Sequence, residues 1–468
     1  MKRTAVLNVV GLTRSLLGEH TPSINKFLKT GALSTITPAF PAVTCTAQSD
    51  YLTGTRPAQH GIVANGWFNR ELAEVHFWKQ SNRVVRARKL WEDLRALDPK
   101  FTCANLFWWF NMQTTADWSI TPRPLYLADG RKVFDIHASP LKLRDKLKES
   151  LGEFPFPGFW GPAAGLDSPA GGPDCATRWI AQSAKWIELR YAPGLSLVYL
   201  PHLDYNLQRL GPHHPCIAKD LLAVDMIVGA LLSFYDQRRV QVLLLSEYGI
   251  TSVHTPVHLN RLFREQGWLS VKDEVGRDTL DFGESKVFAV ADHQVAHIYL
   301  NDPSLESAVR ELLEKQPGVT QVLGTAEKAA AGLDHERAGD LVAVAKEDAW
   351  FTYYYWLDDD RAPDFARTVD IHRKPGYDPV ELFTDPDLSC PKLNVAWRLM
   401  KKKLGFRMLM DLIPLDARLV KGSHGCRPRS KDDWPVLVSS RHDLLGKEEL
   451  ASTEVYDAIR NHILEGGN

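Results

Sequence analysis

The sequence predicts an α/β protein with a mostly parallel central sheet and helices on both faces. Short and almost uniformly apolar runs recur at 5–10, 195–200 and 240–245, and such runs are typical of strands that are buried on both faces. Amphipathic segments of helical period separate them, as at 175–190 and 217–235. Strands that alternate with helices in this way define the class.

The remaining elements follow from the same periodicities, taken in chain order. Helices are expected at 24–29, 84–97, 141–151, 175–190, 217–235 and 304–315. Strands are expected at 5–10, 33–36, 101–110, 195–200, 240–245, 287–299 and 341–345. No repeat or linker interrupts the pattern, so we expect a single domain over 1–468. We expect 124–162, which is rich in proline, glycine and charged residues, to form an insertion over one face, such as a lid.

Composition narrows the class of function. The formal net charge of the 468 residues is −1, which gives no reason to expect binding to a nucleic acid duplex or an anionic membrane. The six cysteines lack a C-x-x-C spacing and are too few for a disulfide framework. The apolar run after Met1 is too short for a secretory signal, and no run is long enough to span a membrane. We therefore expect a cytoplasmic protein.

The stretch Thr37–Trp67 contains the strongest candidate for chemistry. A hydroxyl-rich turn, Thr44-Cys45-Thr46, is followed by a helix-compatible run. The N–H groups at the start of a helix suit an anion, and a hydroxyl placed there is a candidate nucleophile. Two alternatives remain open. Thr44 could be an ordinary helix cap, and Cys45 could be either the nucleophile or a small buried residue.

This stretch resembles the nucleophile segment of the nucleotide pyrophosphatase/phosphodiesterase family, within the alkaline phosphatase superfamily. The resemblance implies an alkaline-phosphatase-like three-layer sandwich, with Thr44 as the nucleophile and Asn65 as a donor to a phosphate oxygen. The matching residues are Pro41, Thr44, Thr53-Gly54, Pro57, His60-Gly61-Ile62 and Asn65.

The resemblance also implies two divalent ions, usually zinc, held at the ends of the strands. One set of ligands would be Asp204, Gln208 and His424, and the other would be Asn8, Thr44, Glu247 and Tyr248. Several of these depart from the family pattern, which has histidine or aspartate where this chain has Gln208, Tyr248 and Asn8. Because oxygen ligands then predominate, we expect one or two divalent ions, with Mg or Mn as alternatives to Zn.

Other polar residues near strand ends could replace the missing ligands or contact substrate. Asp292, His293, Asp370 and His372 are candidate ligands. Arg373 and Lys374 are placed where they could hold an anionic substrate. Each of these residues could instead be structural, since hydrogen-bonded carboxylates and imidazoles are common in irregular loops.

The function predicted from these residues is that of a metal-dependent phosphohydrolase acting on a small phosphorylated metabolite. The bond would be a phosphodiester, a pyrophosphate or a phosphate monoester. Two alternatives are an altered scaffold that binds such a metabolite without hydrolysis, and a phosphoryl or sulfuryl transferase. The aromatic runs at 107–110 and 351–356 could stack on a base or an apolar group, or could pack in the core.

Overall fold

A nine-stranded mixed sheet forms the centre of the computed structural model, which describes residues 1–128, 131–165, 175–388, 393, 396–398, 400, 401, 404 and 409–465. Five of its eight strand pairings are parallel. Across the sheet the strands are Glu449–Ala451, Ala32–Thr37, Val436–Ser439, Gln241–Leu245, Thr4–Val9, Leu195–Leu200, Cys103–Leu106, Trp118–Pro122 and Ile136–Ser139.

The sheet is covered on both faces, as the apolar runs predicted. Every residue of Thr4–Val9 and Leu195–Leu200 is buried, and successive side chains of a strand point to opposite faces. The helices that surround the sheets are Pro22–Leu28, Thr44–Thr53, Pro57–His60, Leu90–Leu97, Lys142–Leu151, Cys175–Tyr191, His202–Leu210, Ile217–Asp236, Leu259–Glu265, Glu306–Glu314, Thr325–Ala331 and Val455–Leu464. Across the described residues, no helix is both long and apolar enough to cross a membrane.

The parallel strands bring the polar segments of the sequence to one edge of the sheet. Asn8 lies beside Tyr199 on one neighbouring strand and beside Leu245 on the other, so the three strands end at the same level. In sheets of this kind ligands bind beyond the carboxyl ends of the strands. The segments that follow those ends, which include Asp204 and Glu247, therefore meet at one place.

A second, antiparallel sheet lies outside the central one and corrects one prediction. The segment 287–299 is a hairpin, Val287–Asp292 and Val295–Leu300, rather than one strand. Its turn contains His293 at a φ of 60°, a left-handed conformation that a residue with a Cβ rarely adopts, so periodicity alone gave no sign of it. The sheet is completed by Leu341–Ala345 and Val319–Leu323.

Several predicted elements have different bounds. The expected strand 101–110 is regular only over Cys103–Leu106, and the aromatic residues after it run through an irregular loop. The expected helix 84–97 begins only at Leu90. The remaining strand pairs are short: Gly66–Asn69 with Glu74–Phe77, Leu125–Tyr126 with Lys132–Val133, Thr251–Ser252 with Gly422–Ser423, Thr255–Val257 with Ala349–Phe351, and Ser270–Glu274 with Arg277–Asp281.

Candidate active site

Thr44 is the first residue of the buried helix Thr44–Thr53, and it lines a cavity at the edge of the sheet. The residue before it, Val43, has an extended backbone and no side-chain oxygen that could cap the helix. The N–H groups of the first turn therefore depend on other partners, and the N–H of Cys45 donates to Asn65 Oδ1 at 3.0 Å. Burial raises the pKa of the Cys45 thiol well above its usual value, which favours Thr44 over Cys45 as nucleophile.

The Thr44 hydroxyl begins a chain of hydrogen-bonded side chains. Thr44 Oγ1 lies 3.2 Å from the Tyr248 hydroxyl, which donates to Asp204 Oδ1 at 3.2 Å. The other carboxyl oxygen of Asp204 accepts from Gln208 Nε2 at 2.8 Å. Burial raises the pKa of Asp204 to about 7, although the bonds from Tyr248 and Gln208 lower it.

The side-chain amide of Gln208, expected to be a metal ligand, is instead used in hydrogen bonds within the protein. Its amide nitrogen points at Asp204, and its amide oxygen accepts from the Tyr377 hydroxyl at 2.9 Å. Asp204 and Gln208 lie one turn apart on the helix His202–Leu210, which places both on one face. An amide at this position bridges a carboxylate and a phenol, where an imidazole would have offered a lone pair to an ion.

Glu247 lies on the other side of Thr44 and is fully buried. Its Oε1 accepts from the side-chain amides of Asn8 and Gln48. Among the described residues, neither Glu247 Oε2 nor Asn8 Oδ1 meets hydrogen-bond geometry with a partner, although the nearby Thr44 hydroxyl helps to lower the pKa of Glu247. Burial is the main reason that the pKa of Glu247 is raised to about 8. Buried oxygens without partners are costly, so these two mark a place where something else could bind.

A second carboxylate network supports the loop after the nucleophile helix. Asp292 accepts from the backbone N–H of Asn65 at 2.8 Å and from its side-chain amide at 3.1 Å. The Nδ1 atom of His293 lies 2.7 Å from Asp292 Oδ1. Asn65 therefore joins Asp292 to the start of the nucleophile helix, and one of its two amide hydrogens is already used there.

Two neutral imidazoles complete the floor of the cavity. His424 stacks on the Tyr248 ring with centroids 3.6 Å apart, and its centroid lies 3.8 Å from that of His293. Its Nδ1 lies 2.8 Å from the carbonyl oxygen of Ala42, to which the N–H donates. Burial holds the pKa of both histidines well below the usual value, so neither supplies a positive charge at neutral pH.

The predicted residues at 370–374 are only partly brought to this place. His372 lines the cavity, and burial lowers its pKa to about 4. The peptide N–H of Asp370 donates to Glu381 Oε1, whereas Arg373 is exposed and pairs with Asp364 at 2.8 Å. Lys374 is buried in ion pairs of 2.7 Å with Asp378 and Glu381. Neither Arg373 nor Lys374 lines the cavity, so both differ from the expectation that they hold an anionic substrate.

A cavity lies above Thr44 and opens to solvent, and the empty space within it and at its mouth together is about 900 Å³. Its floor carries Thr44, Asp204, Tyr248, His293 and His424. Most of its wall is aromatic, and part of that wall comes from the segment 124–162. The aromatic lining includes Trp78, Trp109, Tyr126, Phe159, Trp160 and Tyr377.

Sequence reasoning did not identify two contributors to this site. Gln48, which binds Glu247, lies one helical turn after Thr44, and that spacing could have identified it as a neighbour. Lys132 lines the cavity from the segment 124–162, but nothing in the sequence linked that segment to Thr44. Of the two aromatic runs, 107–110 contributes Trp109 to the wall. The run 351–356 instead packs in the hydrophobic core of the second, antiparallel sheet.

The residues at the floor do not fit a pair of zinc ions. Nowhere in the described part of the chain do three His, Cys, Asp or Glu side chains converge as a metal site. Asp204 has a donor on each oxygen, and Gln208 has donors and acceptors of its own. The two unpartnered oxygens, Glu247 Oε2 and Asn8 Oδ1, are hard ligands that suit one Mg²⁺ or Mn²⁺ better than zinc.

A buried threonine at a helix start, carboxylates on the surrounding strand ends and an α/β sheet define an alkaline-phosphatase-like phosphoester hydrolase. The sequence profile of the type I phosphodiesterase/nucleotide pyrophosphatase family matches residues 4–378, and the chain belongs to this family. This result confirms the resemblance carried by the stretch around Thr44. The chain is thus an enzyme of the class that hydrolyses phosphoric ester or pyrophosphate bonds.

Known structures confirm the fold. Murine ectonucleotide pyrophosphatase/phosphodiesterase 5, solved as an inactive variant with AMP, superposes with a TM-score of 0.57 at 14% identity, covering 99% of this chain and 95% of its own. Phosphonoacetate hydrolase from Sinorhizobium meliloti 1021, solved with phosphonoacetate, gives a TM-score of 0.59 at 15% identity, with 98% and 95% covered. No curated protein sequence matches this chain.

Proposed function

We propose that this protein hydrolyses a phosphodiester, pyrophosphate or phosphate monoester of a small metabolite, with Thr44 as the nucleophile. The observation that carries the proposal is the position of the Thr44 hydroxyl. It lies at the start of a buried helix, on the floor of the cavity, within hydrogen-bond distance of Tyr248. The reaction needs an attacking oxygen and donors that favour a phosphate. The Thr44 hydroxyl is a candidate for the first, and the N–H groups of the first helical turn are candidates for the second.

In the first step Thr44 Oγ1 forms a bond to phosphorus as the bond from phosphorus to the leaving oxygen breaks. The threonine proton has a path through the Tyr248 hydroxyl to Asp204. From there a proton passes to the leaving oxygen, so that an ester releases its alcohol and a pyrophosphate releases its second phosphate group. Water then attacks the phosphothreonine, which releases phosphate or its remaining ester and restores the Thr44 hydroxyl.

We also propose that Asn8 and Glu247 hold one divalent ion through their unpartnered oxygens. When bound, such an ion supplies positive charge for the phosphoryl oxygens and favours ionisation of a nearby hydroxyl. Within the protein itself, the remaining N–H of Asn65 is a candidate donor to a phosphoryl oxygen, because Asp292 holds that amide against the nucleophile helix.

The test compares the wild type with Thr44→Ala and Thr44→Ser on p-nitrophenyl phosphate and bis(p-nitrophenyl) phosphate, with Mg²⁺, Mn²⁺ or Zn²⁺ added. We expect Thr44→Ala to lose at least about 1,000-fold in kcat and Thr44→Ser to retain part of the activity, since serine keeps the hydroxyl. An intact-mass measurement after rapid acid quench should show one added phosphoryl group on wild type and none on Thr44→Ala. Undiminished turnover by Thr44→Ala would refute the assignment.

The second candidate is a scaffold that binds a phosphorylated metabolite without hydrolysing it. It is favoured by Gln208 and Tyr248, which fill with hydrogen bonds the positions where the family pattern has metal-binding histidines. This candidate predicts tight binding of a phosphate ester with no turnover under any metal. A phosphoryl transferase is distinguished from both by phosphothreonine that forms and then decays only when an acceptor alcohol is added.

A further inference from the structure

The wall of the cavity presents carbon surface toward the space above Thr44. The indole N–H of Trp109 donates to the carbonyl of Lys79 at 3.0 Å, and that of Trp160 donates to Glu381 at 2.6 Å. The hydroxyl of Tyr377 is bonded to Gln208 at the floor. The polar atoms of these three rings are thus directed to protein partners, and their faces and edges remain for a ligand.

The aromatic rings also hold one another in place. Trp78 and Trp109 meet edge to face with centroids 4.9 Å apart, and Trp78 lies 6.1 Å from Tyr377. Tyr377 in turn lies 5.8 Å from Trp160. A wall built in this way is preformed, so an apolar ligand would not have to order it on binding.

Two polar side chains higher in the wall, Gln80 and Lys132, already make hydrogen bonds within the protein. Gln80 Oε1 accepts from the Thr121 hydroxyl at 3.0 Å, and Lys132 Nζ donates to the Val369 carbonyl at 3.3 Å. Asp204 is the one carboxylate that lines the cavity in the described part of the chain, and it lies at the floor. These bonds, and those of Trp109, Trp160 and Tyr377, reduce the number of polar atoms that the wall presents to the hydroxyls of a ribose or the amide edge of a base.

From these contacts we infer that the group carried by the phosphate is an apolar alcohol, either an isoprenoid-like chain or an aryl-bearing chain, and not a nucleoside. The inference rests on the proposed function, which places the phosphoryl group at Thr44. A nucleoside would bury hydroxyls and ring nitrogens without partners, and each such group lowers the binding affinity. The binding affinity of an apolar chain instead rises with each carbon removed from water.

The first experiment compares phosphate esters that share a primary alkyl leaving group, so that leaving-group reactivity stays constant. The series is ethyl, decyl, citronellyl and 2-(1-naphthyl)ethyl phosphate with 5′-AMP, each also as its methyl diester. We expect kcat/KM for at least one of the three large apolar esters to exceed that of ethyl phosphate by at least about 100-fold, mainly through KM. The citronellyl and naphthylethyl arms decide between the two kinds of chain. AMP equal to or better than all three would overturn the inference.

The second experiment changes the wall. Ile371 lines the cavity and is partly exposed, so Ile371→Asn should fold while placing an amide in the apolar wall. We expect the preference for the best apolar ester over ethyl phosphate to fall at least about tenfold. The matched control is Leu189→Asn, which makes the same kind of change at an exposed leucine on the helix Cys175–Tyr191, and it should keep the full preference. An unchanged preference in Ile371→Asn contradicts the inference.

Binding to Thr44→Ala separates failure of the inference from failure of the proposed function. Calorimetric titration of this variant with decyl phosphate, citronellyl phosphate and AMP measures recognition without turnover. If no ester is hydrolysed by the wild type but citronellyl or decyl phosphate binds at least tenfold tighter than AMP, the proposed hydrolysis fails and the apolar site stands. If esters are hydrolysed with no preference and AMP binds equally well, the apolar site fails and the hydrolysis stands.

Discussion

Glu247 and Asn8 show how a change of one residue alters the chemistry of a whole site. The Asn8 amide nitrogen donates to Glu247 Oε1, a bond that an aspartate at this position could not make. The pair therefore satisfies one oxygen of the Glu247 carboxyl internally, while one oxygen of each residue remains without a partner of good geometry. An amide carries no charge, so this pair offers a cation fewer negative charges than two carboxylates would. We therefore expect it to bind a metal ion more weakly.

This reasoning predicts the effect of restoring the carboxylate. Asn8→Asp replaces the donated amide bond with a second buried carboxyl group, whose ionisation is opposed by burial and by Glu247, so the metal-free variant should unfold at a lower temperature than wild type. Added Mn²⁺ should raise the Tm of the variant more than that of wild type, because a ligand that binds the folded state stabilises it by about 2.7 kcal/mol at 100 times its Kd. Thermal unfolding at a series of Mn²⁺ concentrations measures both quantities.

The matched control for this comparison is Asn301→Asp, which makes the same substitution at an asparagine whose amide bonds two carbonyls far from Thr44. It should show no greater response to Mn²⁺ than wild type. If Mn²⁺ leaves the Tm of both wild type and Asn8→Asp unchanged, these two residues do not hold a divalent ion.

At the scale of elements, the sequence predicted the strands that carry the site better than the loops that complete it. The runs at 5–10, 195–200 and 240–245 are almost uniformly apolar, and burial on both faces of a sheet is what such runs require. Asp204 and Glu247 could be placed together because parallel strands end at one edge. Asp292 ends the first strand of a hairpin, and His293 lies in the turn that follows. The left-handed backbone conformation of His293 cannot be predicted from the periodicity of the sequence.

The wall of the cavity could not be predicted for a related reason. Its aromatic residues come from segments far apart in the chain, such as those around Trp78, Trp160 and Tyr377. Each residue lies in irregular structure, where neither a period of two nor one of 3.6 fixes the direction of a side chain. The contacts that orient the rings join residues distant in sequence: Trp160 and Glu381 are 221 positions apart, and Tyr377 and Gln208 are 169 apart.

The segment that contains Glu381, the hydrogen-bond partner of Trp160, also holds a buried lysine whose removal should destabilise the protein. Lys374 is buried between Asp378 and Glu381, whereas its neighbour Arg373 is exposed. Lys374→Met leaves two buried carboxylates without their cation and should lower the free energy of unfolding by about 3–5 kcal/mol. Arg373→Met, the matched control, loses an exposed ion pair and a contact with the Phe365 ring, and it should cost less than about 1 kcal/mol. Urea denaturation measures both, and equal costs would show that the buried triad is not stabilising.

The whole molecule depends on sheets whose strands come from both ends of the chain. Val436–Ser439 lies between Ala32–Thr37 and Gln241–Leu245, so residues near the C-terminus close the sheet that begins at Thr4. His424, which belongs to the cavity floor, follows the short strand Gly422–Ser423. We therefore propose that the chain is one catalytic domain, with 124–162 as part of the cover over its cavity.

Stability of the whole molecule should decrease in mild acid, because several histidines are buried in neutral form. His297 is one of them. Its Nε2–H donates to the Val63 carbonyl at 3.1 Å and its Nδ1 accepts from the Gly339 N–H at 3.1 Å, so a proton on Nδ1 would face another N–H. Burial lowers the pKa of His297 to about 4. A group whose pKa is lowered by folding adds stability above its unfolded value and loses it as pH falls toward the folded value.

The sign and window of the effect follow from those two values. In the unfolded chain His297 takes up its proton near pH 6.5, whereas in the folded protein it does so near pH 4, so the free energy of unfolding should fall between these limits. The loss attributable to this residue is on the order of 3 kcal/mol at most. His297→Gln can make both hydrogen bonds without titrating, so its unfolding free energy should fall less over the same range, while the exposed His254→Gln should follow wild type. Urea denaturation at pH 7, 6, 5 and 4.5 measures the difference, and parallel curves for wild type and His297→Gln would contradict the assignment, because the acid sensitivity would then belong to other groups.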